Sequence, residues 1–342
     1  MYPVFAIITV TLLASFLACW LLVPFIAERL RKRGICGGDM NKLGRPKVPE
    51  MGGIAVLFGF AFSAMFALAI CGFGGTPEMN LTALLAAFST IVLVGAIGIV
   101  DDLIGWRNGI KQWQHAIAPL FAALPLMVLP QSIGFTDMTI PFMGMVVSFG
   151  IYYAIFIVPI AITGASNAVN MLAGFNGLEA GMGALIMATL LATAASLPFD
   201  HAGKLEAIII TSAMLGALLA FLRYNWFPAK VFGGDSLTLM IGASAAAVAI
   251  IGNMEKIALL LFALYFIELV FKAKHGFKSE CYGIPQKDGT LKADPRGGSL
   301  THWVMRRGKF TEPQVVAILL GMQALVCAAV FSLSWFKLFK LI

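Results

Sequence analysis

"YPVFAIITVTLLASFLACWLLVPFIA", Tyr2 to Ala27, runs without a single charge and is followed at once by "ERLRKRG", Glu28 to Gly34. As a helix this run rises roughly 39 Å, enough to cross the ~30 Å hydrocarbon layer of a bilayer. A cleavable signal peptide carries its basic residues on the other flank. The run therefore reads as a retained first helix with its amino terminus outside and its basic end in the cytoplasm. Similar runs recur along all 342 residues, at about 2–27, 52–72, 82–100, 113–130, 143–163, 180–198, 204–222, 236–252, 255–272 and 313–336. With 60% hydrophobic residues, 12% charged residues and a mean hydropathy of +0.90, a soluble globular domain is excluded. A transmembrane barrel would show short alternating segments instead. The expectation is an all-α polytopic membrane bundle of about ten helices forming one domain.

Basic residues set the orientation. Starting outside, the connections 28–51, 101–112, 164–179, 223–235 and 273–312, with Lys272 at the edge of the last, hold 20 of the 24 Lys and Arg residues. That bias puts those loops in the cytoplasm and both termini on the non-cytoplasmic side. The net charge of +7 thus reads as topology and anionic phosphate, with no nucleic acid as partner. Five cysteines (19, 36, 71, 281 and 327) form no C-x-x-C pair, so they support neither a disulfide framework nor a zinc site.

The outer connections are short and poor in ionisable groups, whereas Asp101, Asp102, Lys111, Glu179, Arg223, Lys230 and Asp235 gather on the inner side. Chemistry is therefore expected at the cytoplasmic face. The last inner loop, 273–312, is long enough to be functional. Within it "YGIPQKDGTLKA" (282–293) predicts a hairpin around an Asp-Gly turn, and "SLTHWVMRRGKF" (299–310) a short amphipathic helix at the interface.

Four inner segments are richer in acids, amides and glycines than connectors require. "VDDLIGWRNGIK" (100–111) pairs Asp101 with Asp102, either as solvated helix-end charges or as a magnesium or proton-transfer pair, with Lys111 one loop later to offset them or hold a phosphate. "NAVNMLAGFNGLEAG" (167–181) puts Asn167 and Asn170 on one helical face, followed by glycines that let backbone amides approach a ligand. In "KVFGGDSLTLMIG" (230–242), Asp235 suits either a helix cap or a ligand, with Phe232 and two glycines before it. "KLGRPKVPEMGG" (42–53) sets Glu50 just before the second helix. Glu268, deeper in the ninth run, reads as a polar packing contact ahead of a site. Together the four segments describe a magnesium and diphosphate pocket open to the inner leaflet.

"DDLIG" at 101–105, the 167–181 stretch and "FGGDS" at 232–236, in that order on such a chain, resemble the polyprenyl-phosphate N-acetylhexosamine-1-phosphate transferases. The resemblance extends from Pro49-Glu50-Met51-Gly52-Gly53 to the last loop. Where the bacterial pattern has Asp-Gly-x-Asp-Gly, this chain has Ala173 and Asn176 in place of the acids, and its four histidines are scattered. That form is similar to the dolichyl-phosphate branch and disfavours a muramyl-pentapeptide substrate. The eukaryotic branch carries arginines before an Ile-Pro in the last loop, where this chain has Cys281, Tyr282 and Gly283. The diphosphate contact there is then expected from Lys278 or His302.

The resemblance implies transfer of N-acetylglucosamine 1-phosphate from UDP-N-acetylglucosamine to a polyprenyl or dolichyl phosphate, with UMP released. It implies Mg²⁺, replaceable by Mn²⁺, on Asp235 and Asn170; the uridine on Asn176, Glu50 and the ring of Phe232; and the diphosphate or lipid phosphate on Lys111. Asp101 and Asp102 would organise the attack, directly or through an aspartyl phosphate on Asp101. Membrane lipid is the remaining partner, a homodimer is left open, and the membrane is the cell membrane if the source is prokaryotic. Two readings compete: a related UDP-sugar transferase that passes a sugar 1-phosphate to undecaprenyl phosphate, and, from another class, a transporter or flippase of an anionic sugar-lipid, whose inverted repeats and midplane polar residues the sequence does not clearly show.

Overall fold

A computed structural model describes residues 4–74, 79–104, 112–129, 137–139, 145–198 and 200–336. Among them, seven helices are long and apolar enough to cross a membrane. These are α1 (Val4–Lys32), α2 (Gly53–Phe73), α3 (Leu81–Ile104), the π-helical turn Tyr153–Ile157 that continues into α6 (Val158–Met171), α7 (Leu178–Ser196), α8 (Lys204–Asn225) and α13 (Glu312–Trp335). The remaining apolar runs fold differently. The run at 113–130 divides into α4 (Gln112–Ala122) and α5 (Leu124–Met127), because Pro125 can neither donate its backbone hydrogen nor avoid the carbonyl one turn back. The run at 255–272 divides into α10 (Glu255–Leu261) and α11 (Ala263–Lys274) at Phe262, where neither proline nor glycine marks the break.

The fifth expected span is corrected at both ends. Its first residues form β4 (Val146–Ser148), paired antiparallel with β3 (Asp137–Thr139), and the helix carries on to Met171 rather than stopping near 163. Val146 and Val147 are β-branched, and a short apolar run does not tell strand from helix by hydropathy.

The centre of the bundle is α9 (Asp235–Ile251), whose residues after Asp235 are all buried. It packs on α3, α6 and α8, while α1 lies against α2 and α8, and α13 against α7. A helix of this length rises only about 25 Å. That suffices because its first amides meet protein groups instead of lipid, as described below.

Two further small sheets form in the loops. β1 (Cys36–Gly38) pairs with β2 (Lys47–Pro49), and β5 (Ile284–Pro285), β6 (Thr290–Lys292) and β7 (Phe310–Thr311) form a sheet in that order. The hairpin expected over 282–293 is present, and Gly289 takes the left-handed turn conformation at φ +81°. The helix expected over 299–310 is shorter: α12 spans Leu300–Met305 and is largely buried, and the chain returns as β7. Its entry is fixed by Glu268, which accepts the Leu300 N–H at 2.6 Å and the Ser299 hydroxyl at 3.0 Å. Glu268 also pairs with Lys272 at 3.7 Å, and Lys272 in turn donates to the Ser279 carbonyl and the Cys281 sulfur. Glu268 is thus engaged in holding the last loop against α11.

Candidate active site

The site begins where two glycine-rich segments run side by side. The Phe232 N–H donates to the Pro49 carbonyl at 2.8 Å, the Gly52 N–H to the Phe232 carbonyl at 2.7 Å and the Gly53 N–H to the Gly233 carbonyl at 2.9 Å. This lacing puts Glu50 beside Asp235. Burial raises the Glu50 carboxyl above the usual glutamate range, and the negative charge of Asp235 raises it further.

The helix that starts at Asp235 is anchored by α3. Asp102 accepts the backbone N–H of Asp235 at 2.8 Å through one oxygen and that of Ser236 at 3.1 Å through the other. Those amides belong to the first turn, which no intrahelical carbonyl can satisfy. The approach depends on small residues. A Cβ on Gly98 would lie 2.5 Å from the Ser236 Cα, and one on Gly234, at φ +74°, would lie 2.5 Å from the Asp102 Oδ2. Asp101 is buried beside Asp102 in the last turns of α3. On the other side of α9, the Thr238 hydroxyl lies 3.1 Å from the Asn170 Oδ1 and 3.3 Å from the Asp235 carbonyl. Asn167 donates to the Thr163 carbonyl of its own helix at 2.8 Å.

Asn176 occupies a second knot of polar groups. Its backbone N–H donates to Glu312 at 2.9 Å, its Oδ1 accepts from Lys42 at 2.9 Å and from the Ala229 N–H at 2.7 Å, and its Nδ2 donates to Asp39 at 3.2 Å. Asn225 links this loop to the first cluster, accepting the Gly177 N–H at 3.1 Å and donating to the Val231 carbonyl at 2.9 Å.

The last loop is latched to the same place. Asn41 donates to the Gly174 carbonyl at 2.8 Å and accepts the Gly283 N–H at 2.9 Å, while the Tyr282 ring lies where a Cβ on Gly174 would be, 2.4 Å from the Tyr282 Cε1. His302 is 1% exposed, with its Nε2 3.0 Å from the Tyr282 carbonyl, and burial lowers its pKa so that the ring is neutral near pH 7. Burial likewise raises the Tyr282 hydroxyl and takes the Cys281 thiol up to about 11. Lys278 is exposed, and Lys111 lies outside the described residues.

The structure therefore brings Glu50, Asp102, Asp235 and Asn170 around one end of α9, with Asp101 next to Asp102 and Phe232 in the laced loop segment. Asn176 sits in the adjoining knot, and His302 is buried behind the last-loop latch. Sequence reasoning did not single out Asp39, Asn41, Lys42, Asn225, Thr238 or Glu312. Among the described residues no three His, Cys, Asp or Glu side chains converge on a metal-sized position. Mg²⁺ does not need them to. It keeps several waters and is commonly held by one or two carboxylates plus substrate phosphate oxygens. The Asp235 carboxylate and the Asn170 amide oxygen supply hard oxygen donors of that kind, and Thr238 ties Asn170 to the backbone carbonyl of Asp235.

Fold and site together define a polytopic membrane protein with an acid- and amide-rich site where several helix ends and loops meet. A family profile described as Glycosyl transferase family 4 matches residues 83–253, half of the chain, and the chain belongs to that family. A protein of Saccharolobus solfataricus provisionally named UDP-N-acetylglucosamine–dolichyl-phosphate N-acetylglucosaminephosphotransferase is 35% identical over 93% of this chain and 94% of its own length. A Dictyostelium discoideum protein with that name, without the qualifier, is 28% identical over 93% of this chain and 86% of its own. A phospho-N-acetylmuramoyl-pentapeptide-transferase of Limosilactobacillus fermentum is 33% identical over a shorter stretch, 75% of this chain and 78% of its own.

Proposed function

We propose that this protein transfers N-acetylglucosamine 1-phosphate from UDP-N-acetylglucosamine to dolichyl or another polyprenyl phosphate and releases UMP, the first membrane step of lipid-linked glycan assembly. The observation that carries this reading is the gathering of Glu50, Asp102, Asp235 and Asn170 around the start of α9. It supports the reading in a chain whose near-full-length relatives are named for that transfer. The shorter match to the muramoyl-pentapeptide enzymes supports the same chemistry on a different sugar and acceptor as the second choice.

The acceptor phosphate has a second pKa near ~6, so it is already largely dianionic at neutral pH. In-line attack on the phosphorus then needs positioning and charge neutralisation more than a base. Both oxygens of Asp102 hold backbone hydrogens, which suits it to fixing Asp235 rather than to taking a proton. Asp101, one residue earlier, is the acid left to orient the acceptor, with the aspartyl phosphate as the other route. Asp235 and Asn170 would hold Mg²⁺, which when bound neutralises the donor diphosphate and activates its phosphorus. Glu50, Asn176 and Phe232 would border the uridine, and Lys111 and Lys278 remain candidates for phosphate contacts, whereas His302, buried against the Tyr282 carbonyl, is better placed to hold the last loop. No bond to the anomeric carbon breaks, so its configuration is retained.

Ten crossings follow if α4 with α5, α9, and α10 with α11 each traverse once beside the seven long helices. The basic bias of the loops supports both termini outside and the site facing the cytoplasm. The test is UMP release by detergent-purified protein given UDP-N-acetylglucosamine, dolichyl phosphate and Mg²⁺. Release that depends on all three is expected, and its absence would favour the transporter.

A further inference from the structure

The knot around Lys42 joins four segments distant in sequence. Lys42, between β1 and β2, forms ion pairs with Asp39 and, at 3.2 Å, with Glu312 at the start of α13. It donates to Asn176 of the 167–181 stretch at 2.9 Å, and its ammonium stands 4.6 Å from the centre of the Phe227 ring in the segment leading to Asp235. Asp39, Asn176 and Glu312 are each 3% exposed. Two carboxylates this deeply buried repel each other and lose hydration, so one cation between them decides whether the cluster is tolerable.

The donors and acceptors also fix the Asn176 side chain. Lys42 and the Ala229 N–H can only donate, so both must face its oxygen; an ionised Asp39 can only accept, so it must face the nitrogen. A flipped amide would set hydrogen against hydrogen on one side and oxygen against oxygen on the other. With two hydrogens already on its oxygen, the side chain has an N–H left to offer and can meet a base carbonyl only as donor.

We propose that Lys42 is a positioning residue for the nucleotide. Through Asp39 and Glu312 it sets the place and amide orientation of Asn176, and so governs use of the UDP-sugar without governing use of the lipid phosphate. This rests on the transferase reading above, in which Asn176 borders the uridine.

The experiment measures UMP release by full-length protein in detergent, varying UDP-N-acetylglucosamine and dolichyl phosphate separately. Lys42→Met leaves the two carboxylates without their cation, whereas Lys42→Met with Glu312→Gln returns the cluster to its native net charge and keeps an oxygen for the Asn176 N–H. Lys42→Met is expected to raise KM for the UDP-sugar about tenfold or more, with KM for dolichyl phosphate moving less than about twofold. The double variant should recover to within about threefold of wild type for the UDP-sugar. A structural role alone would move both KM values or only the melting midpoint. Equal changes in both KM values, no change, or a double variant as impaired as the single one would overturn the proposal. Should Lys42→Met not fold, Asp39→Asn leaves every remaining charge in the cluster paired. It should raise the UDP-sugar KM about threefold or more and leave the acceptor KM unmoved, and any other pattern overturns the proposal. Wild-type turnover in the same assay separates the two ideas: none would remove the transferase reading and this proposal with it, whereas turnover with unselective variants removes this proposal alone.

Discussion

Replacing Asp102 by asparagine tests whether this acid works as an anchor or in the chemistry. The carboxylate holds the amide hydrogens of Asp235 and Ser236, one on each oxygen, at 2.8 and 3.1 Å. Asparagine retains one oxygen, so one of the two hydrogens then faces an amino group. A buried donor left without a partner costs about 1–3 kcal/mol, and loss of a full negative charge from a helix start about 0.3–2 kcal/mol. Together these span about 1–5 kcal/mol, and a mid-range cost of about 2–4 kcal/mol would appear in two places. In detergent the melting midpoint should fall, because α9 is the central helix and its first turn comes loose. In the UMP-release assay, turnover should drop by roughly 30- to 1000-fold if the whole cost falls on the transition state, since Asp235 opens the same turn. A variant that keeps the wild-type midpoint yet loses turnover would refute the anchoring role and return Asp102 to the reaction itself.

Gly98→Ala should cost about 1–3 kcal/mol and much of the activity, because the new Cβ would sit 2.5 Å from the Ser236 backbone; Gly164→Ala, whose Cβ would meet nothing within 4 Å, is the control for melting and turnover. Glu50 has a folded pKa raised by burial and by Asp235, so its contribution to stability is present below the ordinary glutamate value of about 4.3 and is lost as pH rises through the folded one. Glu50→Gln should therefore melt above wild type at pH 8, with the gap closing towards pH 4; a gap independent of pH would remove this account. Asp235→Asn should raise the Mg²⁺ needed for half-maximal turnover by about tenfold or more in a metal titration, and an unchanged titration would exclude Asp235 as a ligand.

Hydropathy made the bundle legible, because crossing hydrocarbon needs long apolar helices whatever their neighbours are. It did not reveal β4, since Val146–Ser148 is as apolar as a helix start, or the break at Phe262, which carries no proline or glycine. The acids and amides of the first cluster stood out because each lies in a polar stretch next to an apolar run, where a connector would need little. The second cluster did not. Lys42 looks like one more basic residue in a basic loop, and Glu312 like an acid at a helix start. Their value comes from contacts with Asn176, 134 and 136 residues away in the chain, which no local pattern encodes. The one available signal was an excess of polar side chains in Asp39–Lys42, just ahead of a glycine- and proline-rich segment.

The way the first cluster is held bears on why a cation should be required at all. Asp102 is met by backbone hydrogens at a helix start, whose combined effect is about half a positive charge. That fixes the carboxylate in place without neutralising it. Glu50 adds a third acid beside them, raised above the usual glutamate range first by burial and then by the charge of Asp235. A donor diphosphate brought into such a field would be repelled by the residues meant to orient it. A divalent ion held by Asp235 and Asn170 would offset that repulsion, with water and substrate oxygens available as further donors. The arrangement therefore favours a metal that arrives with the nucleotide over one caged by protein alone. It predicts that Mg²⁺ binding measured without UDP-sugar is at least about tenfold weaker than with it, and equal affinities would refute this step.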